Sequence, residues 1–209
     1  MRSHTISPVQ AYLCRARAWL SLVVLAPVAV LAVFSEPHFA FDGLPEYAVE
    51  CVAWLLFLGG ALVRWWATLY IGGRKGQELI TQGPYSICRN PLYFGTLLLS
   101  LSVAVFLQSA SLVAALCVVA VMYLHITLPV EEQYLSSLHG EAFDRYCQMV
   151  PRFFPSLTHY TAPKELCVRL DGMRREMRRM LQWATIPLLC YLIEHLRMLP
   201  DWPKLASMP

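Results

Sequence analysis

The sequence predicts an all-α fold, a polytopic integral-membrane bundle of about five transmembrane helices, and three observations carry that expectation. Hydrophobic residues make up 57% of the 209 residues and Asp, Glu, Lys and Arg only 15%, against about 25% charge in an ordinary soluble domain. No Asp, Glu, Lys or Arg occurs between Asn90 and Val130. The basic residues cluster in particular loops instead of spreading over the chain, and a net charge of +3 is too small to suggest a nucleic-acid partner.

A bilayer core needs about 20 helical residues. The first run, Trp19 to Phe34, follows Arg15 and Arg17 and is succeeded by Glu36-Pro37-His38 in place of a small-residue cleavage site, so it reads as a retained span and not a signal peptide. Tyr47 to Ile71 is the second span, with Glu50 near one end and Arg64 near the other; Arg64 either snorkels or joins a pocket wall. The uncharged stretch after Asn90 is too long for one crossing. Gln108-Ser109 divides it into a hairpin with spans at 92–107 and 110–128, the second ended by Pro129.

Residues 156–180 read as a basic interfacial segment. Leu166, Leu170, Met173, Met177 and Met180 form a stripe at helical spacing, with Arg169, Arg174, Arg175, Arg178 and Arg179 around it, which suits anionic headgroups or an anionic substrate. Residues 181–199 are the last candidate span, weaker because the apolar run stops at Ile193 and Pro187 would kink it. Arg2, Arg15, Arg17, Arg74, Lys75, Arg89, Arg145, Arg152 and Lys164 fall on alternate loops, and the acidic 35–46 loop (Glu36, Asp42, Glu46) lies between. The positive-inside rule therefore places the N-terminus, the 72–91 loop and residues 131–180 in the cytoplasm. The whole chain, 1–209, is expected to be one membrane domain.

Seven cysteines form no CxxC pair and six histidines no HxxxH or HxxH spacing, so neither a disulfide framework nor a metal site is expected.

Two segments carry chemistry. In "GPYSICRNPLYFG", residues 83–95, Pro91 suits the first turn of a helix whose unpaired amides favour an anion. Arg89, Tyr85 and Tyr93 stand beside it, either as an anion-binding, aromatic-lined mouth or as a snorkelling cation in an interfacial belt. In "EEQYLSSLHGEAFDRYCQMVPRFFP", residues 131–155, Glu131 and Glu132 lie within a turn of the fourth span's end, where unpartnered carboxylates are costly. Leu135, Leu138, Phe143 and Tyr146 fit the buried side of the helices that follow, with Gly140 breaking them, and Arg152 supplies a second cation.

The first segment resembles the G-x-Y-x-x-x-R-H-P-x-Y-x-G signature of the isoprenylcysteine carboxyl methyltransferase family and its bacterial relatives. The second resembles their E-E-x-x-L…V-P-R-x-x-P segment, and "LVRWWATLYIGG", residues 62–73, is similar to the stretch that precedes the signature. The likeness covers about residues 60–155, which would be the methyltransferase core. It implies an integral-membrane methyltransferase using S-adenosyl-L-methionine without a Rossmann fold, methylating the carboxylate of a lipophilic membrane-borne acceptor such as isoprenylcysteine, with a cytosolic cofactor pocket built from the later part of the chain. Carried over by position, the cofactor pocket would draw on Tyr85, Arg89, Asn90, Pro91, Tyr93, Glu131, Glu132 and Tyr146, and catalysis on Arg89, Glu132 and Arg152. The signature's His is Asn90 here, which cannot titrate near neutral pH. Membrane sterol reductases using NADPH share part of the first motif, and a phospholipid amine or a thiol acceptor, or a non-enzymatic adaptor, stay open alternatives.

Overall fold

The computed structural model describes residues 8–35, 43–72, 78–166, 168, 170–200 and 202–203, with side chains from Ala16 onward. The expected orienting charges at Arg2, Glu36, Asp42, Arg74 and Lys75, the side chain of Arg15, and Arg169 of the basic segment lie outside the described residues. The described chain is overwhelmingly helical: α1 (Pro8–Phe34), α2 (Leu44–Ile71), α3 (Pro84–Ile87), α4 (Pro91–Phe106), α5 (Ala110–Met122), α6 (Leu128–His139), α7 (Glu141–Met149) and α8 (Leu170–Arg197).

Among the described residues, three stretches are long and apolar enough to cross a bilayer: Ala16–Phe34, Leu44–Ile71 and Ala110–His139. This is a membrane protein. The fourth apolar helix, α4, has 16 residues, about 24 Å at 1.5 Å per residue, short of the roughly 30 Å hydrocarbon core. It forms the expected hairpin with α5. Gln108 turns the chain at φ 51°, and the Ser109 hydroxyl accepts the Leu112 N–H at 3.3 Å to start α5.

Two expectations need correction. Pro129 does not end the helix begun by α5. Tyr123–Thr127 form a π turn in which the Leu128 N–H reaches back to the Tyr123 carbonyl, and the chain continues as α6 with Pro129 in its first turn. A widened turn takes up the carbonyl clash and lost donor that make proline a helix breaker. Likewise, the basic segment and the last candidate span are not separate elements. From Leu170 they form one 28-residue helix that passes through Pro187, whose ring is fully buried in the bundle. Along it Leu170 and Met177 are exposed and Gly172, Glu176, Pro187 and Cys190 are buried, so the packed face runs through a carboxylate and not along the apolar stripe.

Small residues let α2 and α4 touch backbone to backbone. A Cβ placed on Gly60 would lie 2.8 Å from the Gly95 carbonyl oxygen, and one on Gly95 would lie 2.9 Å from that of Gly60. Helix α8 is pinned at three levels. Glu176 pairs with Arg64 of α2 at 2.8 Å, and the Trp54 indole donates to the Tyr191 hydroxyl at 3.1 Å. The Arg197 guanidinium donates to the Ala32, Val33 and Leu107 carbonyls, closing the C-terminal ends of α1 and α4. Between these points Ala32, Ala53, Phe106, Leu112, Leu116 and Cys190 form the main core. A second, smaller core of Phe143, Tyr146 and Val150, with Leu79 and Leu135 against it, sits under the loop segments at the other end.

Candidate active site

The polar threshold before α4 is held by the chain that follows α7. The Arg89 N–H donates to the Pro151 carbonyl at 2.9 Å, the Ser156 N–H to the Ile87 carbonyl at 2.9 Å, and the Gly83 N–H to the Thr161 carbonyl at 2.7 Å. The two stretches thus run antiparallel, residue 83 opposite 161 and 89 opposite 151. Side chains complete the seam: the Asn90 amide donates to the Arg152 carbonyl at 3.0 Å, and the Tyr146 hydroxyl to the Tyr85 carbonyl at 2.7 Å. The Cys88 thiol, buried against the Phe153 carbonyl at 3.0 Å, is pushed by burial up to about 11, and Arg89 offsets only part of that. Burial likewise raises the pKa of the Tyr85 and Tyr146 phenols, which stay neutral. Gly83 lies at φ +61° with Tyr70's ring where a Cβ would go, so no other residue fits this turn.

The two glutamates serve different partners. Glu132 bridges two cations: Arg152 forks onto both its oxygens with contacts of 2.8 to 3.2 Å, and Arg89 shares Oε1 at 3.3 Å. Arg89 and Glu132 are largely shielded, whereas the Arg152 side chain is 44% exposed. Glu131 faces α1 instead. It accepts the Tyr93 hydroxyl at 2.7 Å and the Arg17 guanidinium at 3.1 Å, and the same Arg17 nitrogen donates to the Tyr93 oxygen at 2.9 Å.

These groups surround a cavity of about 270 Å³, a little under the usual size for a small-molecule site. Tyr85, Arg89, Asn90, Pro91, Tyr93, Glu131, Glu132 and Tyr146 all line it. Arg152 does not; its charge is spent outside the cavity on Glu132. Asn90 lines the cavity while its amide holds the Arg152 backbone, so in this chain the position works as a pin. Of the residues expected under the site, Phe143 and Tyr146 are buried, but Leu138 is 48% exposed. Arg64 neither snorkels nor lines the cavity: it is buried on Glu176 and donates to the Thr96 hydroxyl at 2.6 Å. Arg17, Glu78, Leu79 and Ile80 belong to the site region without having been singled out for it. For Arg17 the available signal was a cation at the very start of a span.

The phospholipid methyltransferase family model matches residues 49–142, which include most of α2, the threshold and both glutamates. The chain is 30% identical over 172 residues to the nickel-cobalt-cadmium resistance protein NccN of Alcaligenes xylosoxydans xylosoxydans, covering 82% of this chain and 79% of that one. The chain belongs to the isoprenylcysteine and phospholipid methyltransferase superfamily. It is also 31% identical over 169 residues to the cobalt-zinc-cadmium resistance protein CzcN of Cupriavidus metallidurans, 79% of this chain and 76% of that one. A shorter match, 35% over 78 residues, joins 37% of the chain to 40% of protein-S-isoprenylcysteine O-methyltransferase B of Arabidopsis thaliana. No solved structure matches the chain at a significant level. Membership of this methyltransferase superfamily implies a membrane methyltransferase and, in general, S-adenosylmethionine as the donor.

The donor set fits that cofactor. Arg89 Nε and the Tyr85 hydroxyl are buried without a hydrogen-bond partner, an unusual state for such groups and one that a ligand's acceptor atoms would relieve. A cation, a carboxylate and aromatic rings around one cavity match a ligand bearing a carboxylate, an ammonium and a sulfonium.

Proposed function

We propose that the protein is a multi-pass membrane methyltransferase that transfers the methyl group of S-adenosylmethionine to a lipophilic carboxylate of the isoprenylcysteine kind, at a site facing the cytoplasm. The observation that supports this most is the set of opposite charges around one cavity at the polar threshold of α4, with Arg89 at one wall and Glu131 at another. Held by Arg89, Glu131 and the tyrosine walls, the cofactor would supply an electrophilic methyl carbon on a sulfonium; a carboxylate oxygen would take that methyl as the S–C bond breaks, the bonding pair remaining on the neutral thioether. A carboxylate acceptor arrives already ionised and no proton leaves, so the site needs no base, in keeping with Asn90 where the signature has His.

The chain's own residues align and shield. Arg89, held at backbone and side chain by residues 151 and 132, presents its free Nε to a carboxylate. Tyr93 and Tyr146 wall the cavity with neutral rings, and Leu79, Ile80 and Phe143 keep its floor dry. Fixed orientation of two reactants is itself worth several kcal/mol, up to roughly 7–11.

The test is to incubate the purified protein in lipid vesicles carrying a prenylated cysteine with methyl-tritiated cofactor. Lipid-soluble label released by mild base, the mark of a methyl ester, is the expected result. Base-stable label would move the acceptor to an amine or thiol, and no label would count against the reading as a whole. The names of the two resistance proteins favour a setting for the reaction in tolerance of cobalt, nickel, zinc or cadmium. Growth of a strain lacking the gene on cadmium, with and without an Arg89→Ala copy, tests that setting.

A further inference from the structure

A second cavity, of about 400 Å³, lies between α1, α4, α5 and α8 on the other side of Tyr93. Tyr93 lines both cavities. The walls of the second are mostly apolar, with Leu25, Leu97, Leu116, Val119 and Trp183 along it. The hydroxyl residues Ser21, Thr96, Ser100 and Tyr123 join this lining, yet Arg17 is its single ionisable charge among the described residues besides the tyrosines. At about 30 Å³ for a water-sized group, the space holds a chain of roughly a dozen carbons.

We propose that this second cavity is the acceptor site, that it takes an amphiphile with an anionic carboxylate head, and that Arg17 is the residue that selects that head. The inference rests on the methyltransferase reading and deepens it. The geometry is that of a partition. Arg17 faces the second cavity and Glu131 the first, and in the structure they meet across the Tyr93 hydroxyl with contacts of 2.7 to 3.1 Å. Both side chains retain some exposure, 35% and 25%, so either can turn to a ligand without opening the core.

With both ligands bound, each charge has a better partner than its present one. Glu131 turns to an ammonium in the first cavity, and Arg17 turns to a carboxylate in the second. Tyr93 stays between them as the wall that the acceptor oxygen must reach past. A cation that serves only the acceptor cavity discriminates by charge: a carboxylate gains a charge-assisted pair, and its methyl ester, the reaction product, does not. Product release is thereby favoured at the same place.

Trp183 supplies a readout that needs no turnover. The full-length protein in detergent is titrated with dibromododecanoic acid and, separately, with its methyl ester, and bromine quenching of Trp183 is taken as the difference from Trp183→Phe. Saturable quenching by the acid, roughly 10- to 100-fold tighter than by the ester, is expected. Arg17→Gln should bring the acid down to the ester's affinity, and Arg17→Lys should keep most of the preference. Ser100→Phe, which fills the cavity, should abolish saturable quenching by both.

Equal binding of acid and ester to the unaltered protein would overturn the role of Arg17. Quenching that never saturates, or that survives Ser100→Phe, would overturn the cavity as the acceptor site. S-adenosylhomocysteine binding by calorimetry is followed on the same samples and should be untouched by Ser100→Phe. Its absence everywhere would sink the cofactor reading by itself, while the quenching comparison would still decide the acceptor site.

Discussion

Removing Arg64 alone should cost more than removing it together with its partner. Glu176 is 2% exposed and the Arg64 side chain 11%, with 2.8 Å between them. The neighbouring Arg179 stands 3.5 Å from Glu176 but is 61% exposed, so it can compensate only weakly. Arg64→Ala therefore strands a buried carboxylate, at a cost of about 3–5 kcal/mol. It also takes the donor from Thr96 and the Leu92 carbonyl in the first turns of α4. For a chain of this length that is a fall in the unfolding midpoint of roughly 6–20 °C, read by tryptophan fluorescence during heating in detergent. Glu176→Gln keeps hydrogen-bonding groups and should cost less, about 1–3 kcal/mol. The double replacement Arg64→Met/Glu176→Met should recover most of the loss, because two apolar side chains leave no charge unpaired. A double mutant as unstable as Arg64→Ala would refute this reasoning, as would an Arg64→Ala loss below about 1 kcal/mol, the level of an exposed pair.

Three further outcomes follow from the same geometry. Tyr146→Phe leaves the buried Tyr85 carbonyl without its donor and should cost about 1–3 kcal/mol, with weaker S-adenosylhomocysteine binding in calorimetry as the seam loosens. Gly60→Val places side-chain atoms against the Gly95 carbonyl and Leu99; separation of α2 from α4 should destabilise the protein by about 1–3 kcal/mol in the same thermal assay. Cys88 has its folded pKa raised from the usual 9.0 to about 11. Its contribution is therefore complete below pH 9 and is lost as pH rises toward 11, amounting to roughly 2–3 kcal/mol at most. Thermal stability should fall across that window, and Cys88→Ser should flatten the fall.

Three of the spans were legible because twenty-residue apolar runs have few alternatives, and the hairpin because Gln108-Ser109 sits near the middle of an uncharged run too long for one crossing. The threshold was legible in its motif: every residue expected to hold the cofactor lines one cavity. What stayed hidden was pairing between distant charges. Nothing local says that Arg64 belongs to Glu176, 112 residues away, or that Arg17 belongs to Glu131, 114 away. Both arginines therefore read as cations at span ends. Arg152 read as catalytic from its place in a motif; it pairs with Glu132 and stands outside the residues that line the cavity. Pro129 misled for a physical reason. A proline forbids an ordinary turn, but a π turn before it lets the helix continue.

The most direct test of the account is calorimetry of S-adenosylhomocysteine, with NADPH in parallel, on the detergent-purified protein and on Arg89→Ala and Glu132→Ala. Saturable binding of S-adenosylhomocysteine to the unaltered protein is expected, at least tenfold weaker in both variants, which corresponds to the loss of one charged contact of about 1.4 kcal/mol or more. Binding of NADPH alone would leave the cavity in place and contradict the chemistry assigned to it. Undiminished S-adenosylhomocysteine binding by both variants would contradict the site itself.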